Sequence, residues 1–389
     1  MDNAPLAQFA NLSTARSLRT RMLIVFGLQG VVCAMLNMRI PDLQLRIGLS
    51  DSELGFVLMG GPLGALIAFP IAAATIARVG TRIVMGSCFA ALSMLAAIAT
   101  LSTSGPLLFL AMIGVGAMNS LSDIAINVEA DRVEAATGGR LMNRCHGVWS
   151  LVFFASSMIA GLIRGAGYSP EAHLWTLFPI YGVAVAAFIL PMTASPPRGH
   201  VSSGKAKKFV LPTVAILALA AFGIGGDLFE GASRVWATIY LRDGFDVSPF
   251  VEGAALPALI LTMAACRLSA DRLVQAYGPV LIGRVALVFS ISGVGLILFA
   301  PSASIAILGF AVAGVGIAPV YPLMISSAAR IGDRPAAENV ASMALVFQLI
   351  MLTSPMLIGF VAETYSVRLA YGTLLPLLAL GFVMAGRLK

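Results

Sequence analysis

Asn119, Asp123 and Asn127 stand four residues apart in an otherwise apolar stretch, a spacing that puts them on one face of an α-helix. Asp227, Glu230 and Arg234 follow at spacings of three and four, which brings Glu230 within reach of both neighbours. Charged residues make up only 11% of the 389, against about 25% in a soluble domain. Near the middle of a bilayer each such charge costs roughly 2.5–3.5 kcal/mol on insertion scales, so it needs a partner or a task. A carboxyl group in that setting suits reversible proton uptake. A polar stripe suits a solute carrying hydroxyl or amide groups.

Asp123 is the leading candidate for carrying a proton or solute, and the competing reading pairs it with Arg144 or His146. His146, one of three histidines, is a further candidate for proton coupling because imidazole titrates near neutrality; the other reading makes it a satisfied structural group. Asp227 and Glu230 are proton-coupling candidates as well. A Glu230–Arg234 pair neutralises itself and leaves one acid in excess, unless the helix breaks at Gly225-Gly226 and the three charges form its solvated outer end. Asn37 and Arg39 precede Pro41. Arg39 either meets an anionic solute or the acids near 227, or snorkels to the outer interface. Asn119, Asn127, Trp149, Arg234, Trp236, Tyr321 and Gln348 add hydrogen-bonding and stacking surface for a sugar-like or aromatic solute, although aromatics near span ends also serve as interfacial anchors. The sequence contains no P-loop, GxSxG or HExxH pattern, and its histidines are too few for a metal cluster. No catalytic residue, metal or cofactor is expected.

The elements that must position these residues are plain from composition. Hydrophobic residues make up 59% of the chain and mean hydropathy is +0.93. Apolar runs lie near 21–45, 52–77, 82–101, 106–130, 143–165, 173–194, 209–238, 248–266, 279–299, 303–328, 337–361 and 366–387. Each is long enough to cross about 30 Å of hydrocarbon as a helix. The expected fold class is an all-α polytopic membrane protein with twelve transmembrane helices, since a porin-like barrel would alternate apolar and polar residues. Lys and Arg crowd the segments on the side of the N-terminus, and only Arg46, Arg164, Arg242 and Arg368 fall on the other. That bias orients both termini to the cytoplasm of a bacterial inner membrane. The +7 net charge therefore reports topology rather than nucleic-acid binding. The polar first residues lack the pattern of a cleaved signal peptide, and the four cysteines show no CxxC spacing. Expected partners are a small-molecule solute, protons and the lipid bilayer, and a monomer is expected.

Residues 195–208 have linker composition, dividing the chain into halves at 1–194 and 209–389. The halves match at an offset near 200, a sign of internal repetition. Gly114-Val-Gly116 recurs as Gly314-Val-Gly316, and Ser156-Ser-Met-Ile-Ala-Gly161 matches Ser354-Pro-Met-Leu-Ile-Gly359. The loop Ala77-Arg-Val-Gly80-Thr-Arg82 sits where Asp271-Arg272 and Gly278 follow span eight. On this alignment Asp123 faces Leu323, and the acids of span seven have no copies in span one.

These loops and the six-plus-six layout resemble the major facilitator superfamily over essentially the whole chain. The family's loop motif, Gly-x-x-x-Asp-Arg-x-Gly-x-Arg, is degenerate after span two: Ala73 and Ala77 replace the Gly and Asp, while Arg78, Gly80 and Arg82 remain. The second copy keeps Asp271 and Arg272 but begins with Arg267 and carries extra residues before Gly278. In the family this loop is an ionic latch that steadies the outward-open state. The resemblance thus implies a conformational latch at Arg78, Gly80, Arg82, Asp271 and Arg272, weakened at Ala77. Asn119 to Glu129, Met142 to Gly147 and Gly316 to Pro322 look like a little-characterised bacterial branch related to sugar permeases. The resemblance implies two pseudo-symmetric six-helix bundles and secondary active transport by alternating access. Together with the buried acids, it leads to the expectation of a proton-coupled transporter of a small polar solute. Met- and Phe-rich walls keep a proton-driven exporter of drugs or metabolites as the alternative. A non-transporting receptor fits less well, because no soluble output domain is legible.

Overall fold

Helices are the form in which a chain this apolar satisfies its backbone hydrogen bonds inside lipid. In the computed structural model, which describes residues 12–137, 141–192 and 211–388, twelve spans are long and apolar enough to cross a membrane. In order they are Arg16–Ile47, Asp51–Val79, Thr81–Ala99, Gly105–Thr137, Arg144–Gly165, Pro170–Phe188, Val214–Gly244, Pro249–Ala270, Pro279–Leu298, Ala303–Ala329, Glu338–Thr364 and Val367–Arg387. The expected linker at 195–208 lies outside the described residues. Large apolar side chains such as Phe69, Val183, Val288 and Phe360 are exposed, as a lipid-facing surface requires.

Several spans are interrupted. Span one runs as Leu12–Asn37 and Ile40–Ile47, with the turn at Met38-Arg39 and Pro41 in the first turn of the second piece, where its missing N–H is harmless. Span ten breaks at Ala318-Pro319 between Ala303–Ile317 and Val320–Ala329. There Arg267 Nε donates to the Ala318 carbonyl at 3.1 Å. Span seven, by contrast, is one helix from Val214 to Gly244. The expected alternative of a break at Gly225-Gly226 is therefore not found, and Asp227 sits near the middle of the span.

The chain packs as two units, Met1–Leu43 with Gly60–Val201, and Gln44–Met59 with Ser202–Lys389. The same helix pairings occur in both. Span four packs on spans two and three and span five on span one, as span ten packs on eight and nine and span eleven on seven.

The geometry sets the repeat register at 198 residues rather than 200. Gly80 (φ 84°, ψ 157°) and Gly278 (φ 81°, ψ 157°) each precede the third helix of their half, in a backbone region essentially reserved for glycine. A Cβ at Gly116 would strike the Gly61 carbonyl, and one at Gly314 would meet that of Leu259. These residues correspond at 198. The Gly-x-Gly match at 200 is offset by two, so Asp123 corresponds to Tyr321 and not to Leu323. Asp227 then falls at the position of Gln29 and Glu230 at that of Val32, so neither acid of span seven has an acidic copy in span one.

Segment 44–59 has its own anchoring within the second unit. Ser50 caps the helix Asp51–Leu58 through a reciprocal bond pair with Glu53. Glu363 Oε2 in span eleven accepts from the Asp51 and Ser52 amides at 2.8 and 3.3 Å, placing an anion where unpaired N–H groups and the helix dipole favour one. The Asp51 carboxylate accepts from Gln44 Nε2 at 2.7 Å, and Arg242 Nη2 donates to Gln44 Oε1 at 3.2 Å.

Candidate functional site

In the first unit, span one meets span four through a polar contact. Gln29, 3% exposed, donates from Nε2 to Asn119 Oδ1 and Ser122 Oγ, both at 3.4 Å. Cys33 Sγ lies 3.3 Å from the same Asn119 oxygen. Asp123 points elsewhere and is exposed; Asn127 Nδ2 bonds its backbone carbonyl at 2.8 Å and its carboxylate at 3.3 Å. The expected stripe therefore divides, with Asn119 turned into helix packing and Asp123 and Asn127 paired on a more open face. His146 is exposed and meets the Phe26 ring edge-on at 5.3 Å. Trp149 stacks on Phe153 at 5.2 Å, and Asn37 is half-buried at the end of the first helical piece.

Arg39 does not snorkel. It is 1% exposed, with Nη1 on Asp42 Oδ2 and Nε donating to His173 Nδ1, both at 2.9 Å. Arg164 Nε takes the other Asp42 oxygen at 2.6 Å.

The loop after span two is tied down inside its own unit. Thr81 Oγ1 donates to Glu129 Oε2 at 2.6 Å, and Arg132 Nη1 lies 3.8 Å from that oxygen. Glu129 thus supplies an acid beside a loop whose own is replaced by Ala77. Arg82 Nη1 reaches the Met192 and Leu190 carbonyls at 3.2 and 3.4 Å, satisfying acceptors beyond the end of span six. Arg78 and Arg272 are exposed. Asp271 lies within the helix Ala255–Tyr277, which continues span eight.

The second unit places one acid apart from the rest. Asp227 is 3% exposed, and its Oδ2 has no hydrogen-bond partner. Gly226 beside it faces Ile317 and Val320 of span ten, which a methyl there would meet at 3.5 and 3.6 Å. Those two residues correspond at 198 to Asn119 and Ser122, the partners of Gln29. The same position in the repeat thus holds a bonded amide in one half and a buried carboxyl in the other, and the partners of the amide, Asn119 and Ser122, are replaced by the apolar Ile317 and Val320. Glu230, half-buried, pairs with the exposed Arg234 at 3.1 Å. Arg234 therefore neutralises Glu230 and leaves Asp227 as the excess acid. Tyr321 lies within electrostatic reach of both acids and packs on Phe347, ring centroids 4.5 Å apart. Gln348, the next residue, is half-buried. Trp236 is fully buried, with Nε1 unpartnered and its ring against Gly359.

Sequence reasoning missed Gln29, Asp42, Ser122 and His173. Only Asp42, three residues after Arg39, carried a readable pairing signal.

Comparison with known proteins agrees with this architecture. A model of the Major Facilitator Superfamily matches residues 22–350. An uncharacterised MFS-type transporter of Yersinia pestis is 28% identical over 363 residues, 91% of each chain. An uncharacterised transporter of Sinorhizobium fredii is 28% identical over 369 residues, 94% of this chain and 96% of that one. Among solved structures, a mutant form of the nucleoside transporter NupG superimposes with a TM-score of 0.79 at 13% identity, covering 96% of this chain and all of that one. With most of its length matched by the family model, this chain belongs to the Major Facilitator Superfamily and is a multi-pass membrane transporter, not an enzyme.

Proposed function

We propose that the chain is a proton-coupled secondary transporter that moves a small polar solute across the inner membrane by alternating access, with Asp227 as the proton carrier. The observation that carries this reading is the buried Asp227 carboxyl with its unpartnered oxygen. A charge held there is costly on the scale of a few kcal/mol, and a proton removes it. Glu230 is already balanced by Arg234. Tyr321 and Phe347 near this acid offer an aromatic surface, and Gln348 an amide, to a sugar-like or nucleoside-like solute. Asp123 and Asn127 on their open face are assigned to solute contact, which keeps one half of the expectation for Asp123 and gives the proton to Asp227. The loops at Arg78, Gly80 and Arg82 and at Asp271 and Arg272 keep the latch role that family resemblance implies.

Proteoliposome uptake tests the reading. Nucleosides and pentoses are offered under an imposed pH gradient, first to the wild type and then to Asp227→Asn and Asp123→Asn. The gradient should drive accumulation by the wild type and by Asp123→Asn. Asp227→Asn should lose that drive while retaining solute counterflow. Undiminished proton-driven accumulation by Asp227→Asn would overturn the assignment.

A further inference from the structure

We propose that Arg267 of span eight is a positioning residue for the proton site: its Nε replaces the backbone donor that Pro322 lacks, and so fixes the break of span ten where it crosses Gly226, the neighbour of Asp227. In an α-helix the N–H of residue 322 bonds the carbonyl of residue 318, and proline has no N–H to give. The carbonyl left open is that of Ala318, and Arg267 Nε donates to this oxygen at 3.1 Å. Ala318 and Pro319 keep right-handed helical backbone through the break, so a donor at 322 would be aimed at the same atom. Inside a membrane such a freed carbonyl must be satisfied from elsewhere, and a side chain of a neighbouring helix is one way to do it.

The proline and its stand-in occur together. At the 198-residue register Pro322 corresponds to Ile124 and Arg267 to Phe69. There span four runs unbroken from Gly105 to Thr137, and Phe69 is exposed. The half that carries Asp227 is thus the half that carries both the break and the arginine. The break lies where span ten crosses span seven. A Cβ at Gly226 would meet Ile317 on one side of it and Val320 on the other, and a Cβ at Gly223 would meet Val320 and Met324. Gly223 and Gly226 belong to the helical turn that leads into Asp227. Tyr321, in the first turn of the second piece, is within electrostatic reach of Asp227 and Glu230. The direction of that piece therefore sets where Tyr321 stands relative to Asp227, and Arg267 holds the direction. The positioning role rests on Asp227 as the proton carrier; the hydrogen bond does not.

Two replacements separate donor from charge. Arg267→Gln removes the charge but sets an amide donor, Nε2, as many bonds from the backbone as arginine Nε, whereas Arg267→Met has the same length and no donor. Arg267 is exposed, so neither leaves a cavity. Thermal unfolding of the full-length protein in detergent tests the hydrogen bond. Arg267→Met should lower Tm by about 2 °C or more and Arg267→Gln by less than half as much. In a Pro322→Ala background, where the backbone supplies the donor, Arg267→Met should cost nothing further. Equal losses in the two backgrounds would overturn the replacement of one donor by the other, whatever Asp227 does. Proteoliposomes test the positioning. The ratio of proton-driven accumulation to solute counterflow should fall about fivefold or more in Arg267→Met and stay within about twofold of wild type in Arg267→Gln. An unchanged ratio in Arg267→Met, or equal impairment of both variants, overturns the positioning role even where Asp227→Asn has lost its proton drive. A proton drive retained by Asp227→Asn overturns the carrier and the positioning role with it, and leaves the hydrogen bond to the unfolding test.

Discussion

Gly116→Ala and Gly114→Ala, two substitutions of one methyl two residues apart, should have different consequences. A Cβ at Gly116 would lie 2.6 Å from the Gly61 carbonyl carbon and 2.7 Å from its Cα, where carbon atoms need about 3.5–4.0 Å. These are backbone atoms of span two, so relief requires the two helices to part by about 1 Å. Overpacking of this kind costs about 1–3 kcal/mol, occasionally more, and alanine's helix propensity returns about 0.8–1.0 kcal/mol. Because the contact is with backbone, which cannot rotate away, the cost takes the upper end of that range, and the net loss at Gly116 should be about 2 kcal/mol. At Gly114 the new methyl meets only the Leu95 side chain, at 3.1 and 3.3 Å, which can rotate away. Propensity offsets that contact, so Gly114→Ala should stay within about 0.5 kcal/mol of wild type. Thermal unfolding in one detergent measures both. Gly314→Ala, facing the Leu259 carbonyl oxygen at 2.5 Å, should behave like Gly116→Ala. Equal stability of the Gly114 and Gly116 variants, or a harmless Gly314→Ala, would refute both the close approach and the 198-residue register.

Further outcomes follow from the loops. Gly80→Ala and Gly278→Ala meet no atom within 4 Å, so their cost is purely conformational, about 1–3 kcal/mol each; unfolding experiments should find the two losses similar. In the loop between spans ten and eleven, the hydrogen bond from Asn339 Nδ2, at 2.8 Å, holds the Asp333 carboxyl below the usual carboxylate range. Because the folded value is the lower one, this contribution to stability is present above the unfolded value near pH 4 and fades as pH falls through the folded value. Asn339→Ala should move the titration of Asp333 upward, toward the ordinary carboxylate range, read by carboxyl NMR of the labelled side chain.

Long apolar runs announce themselves because the bilayer sets their length, so all twelve spans are legible in the sequence. The repeat is legible too, but its register is not. Paired glycines stand out in sequence, whereas register is set by which glycine meets which carbonyl, and Gly116 and Gly314 show that only in packing. Asp123 outranks Asp227 in sequence because its stripe of Asn, Asp and Asn is visible along one helix. Burial of Asp227 depends on helices far along the chain, since spans ten, eleven and twelve all pack against span seven. Gln29 looks unremarkable because an isolated amide gives no signal until Asn119 and Ser122 are beside it. His173 is invisible for the same reason: its partner Arg39 is 134 residues earlier. Arg39 near Pro41 reads as snorkelling, since nothing local shows that Asp42, Arg164 and His173 close around it.

The Glu363 cap on the helix Asp51–Leu58 also has a consequence for biosynthesis. Donor and acceptor are separated by 312 residues of chain. At a synthesis rate of about 5–20 residues per second, the ribosome delivers Glu363 roughly 15–60 s after Asp51 has emerged. Throughout that interval the helix start depends on what was translated with it, the Ser50–Glu53 capping box. The local cap holds the segment in shape while its distant partner is still unmade. The arrival of span eleven then fastens residues 44–59 into the unit that is translated last, so a fragment made of residues 202–389 alone would be born without part of its own packing.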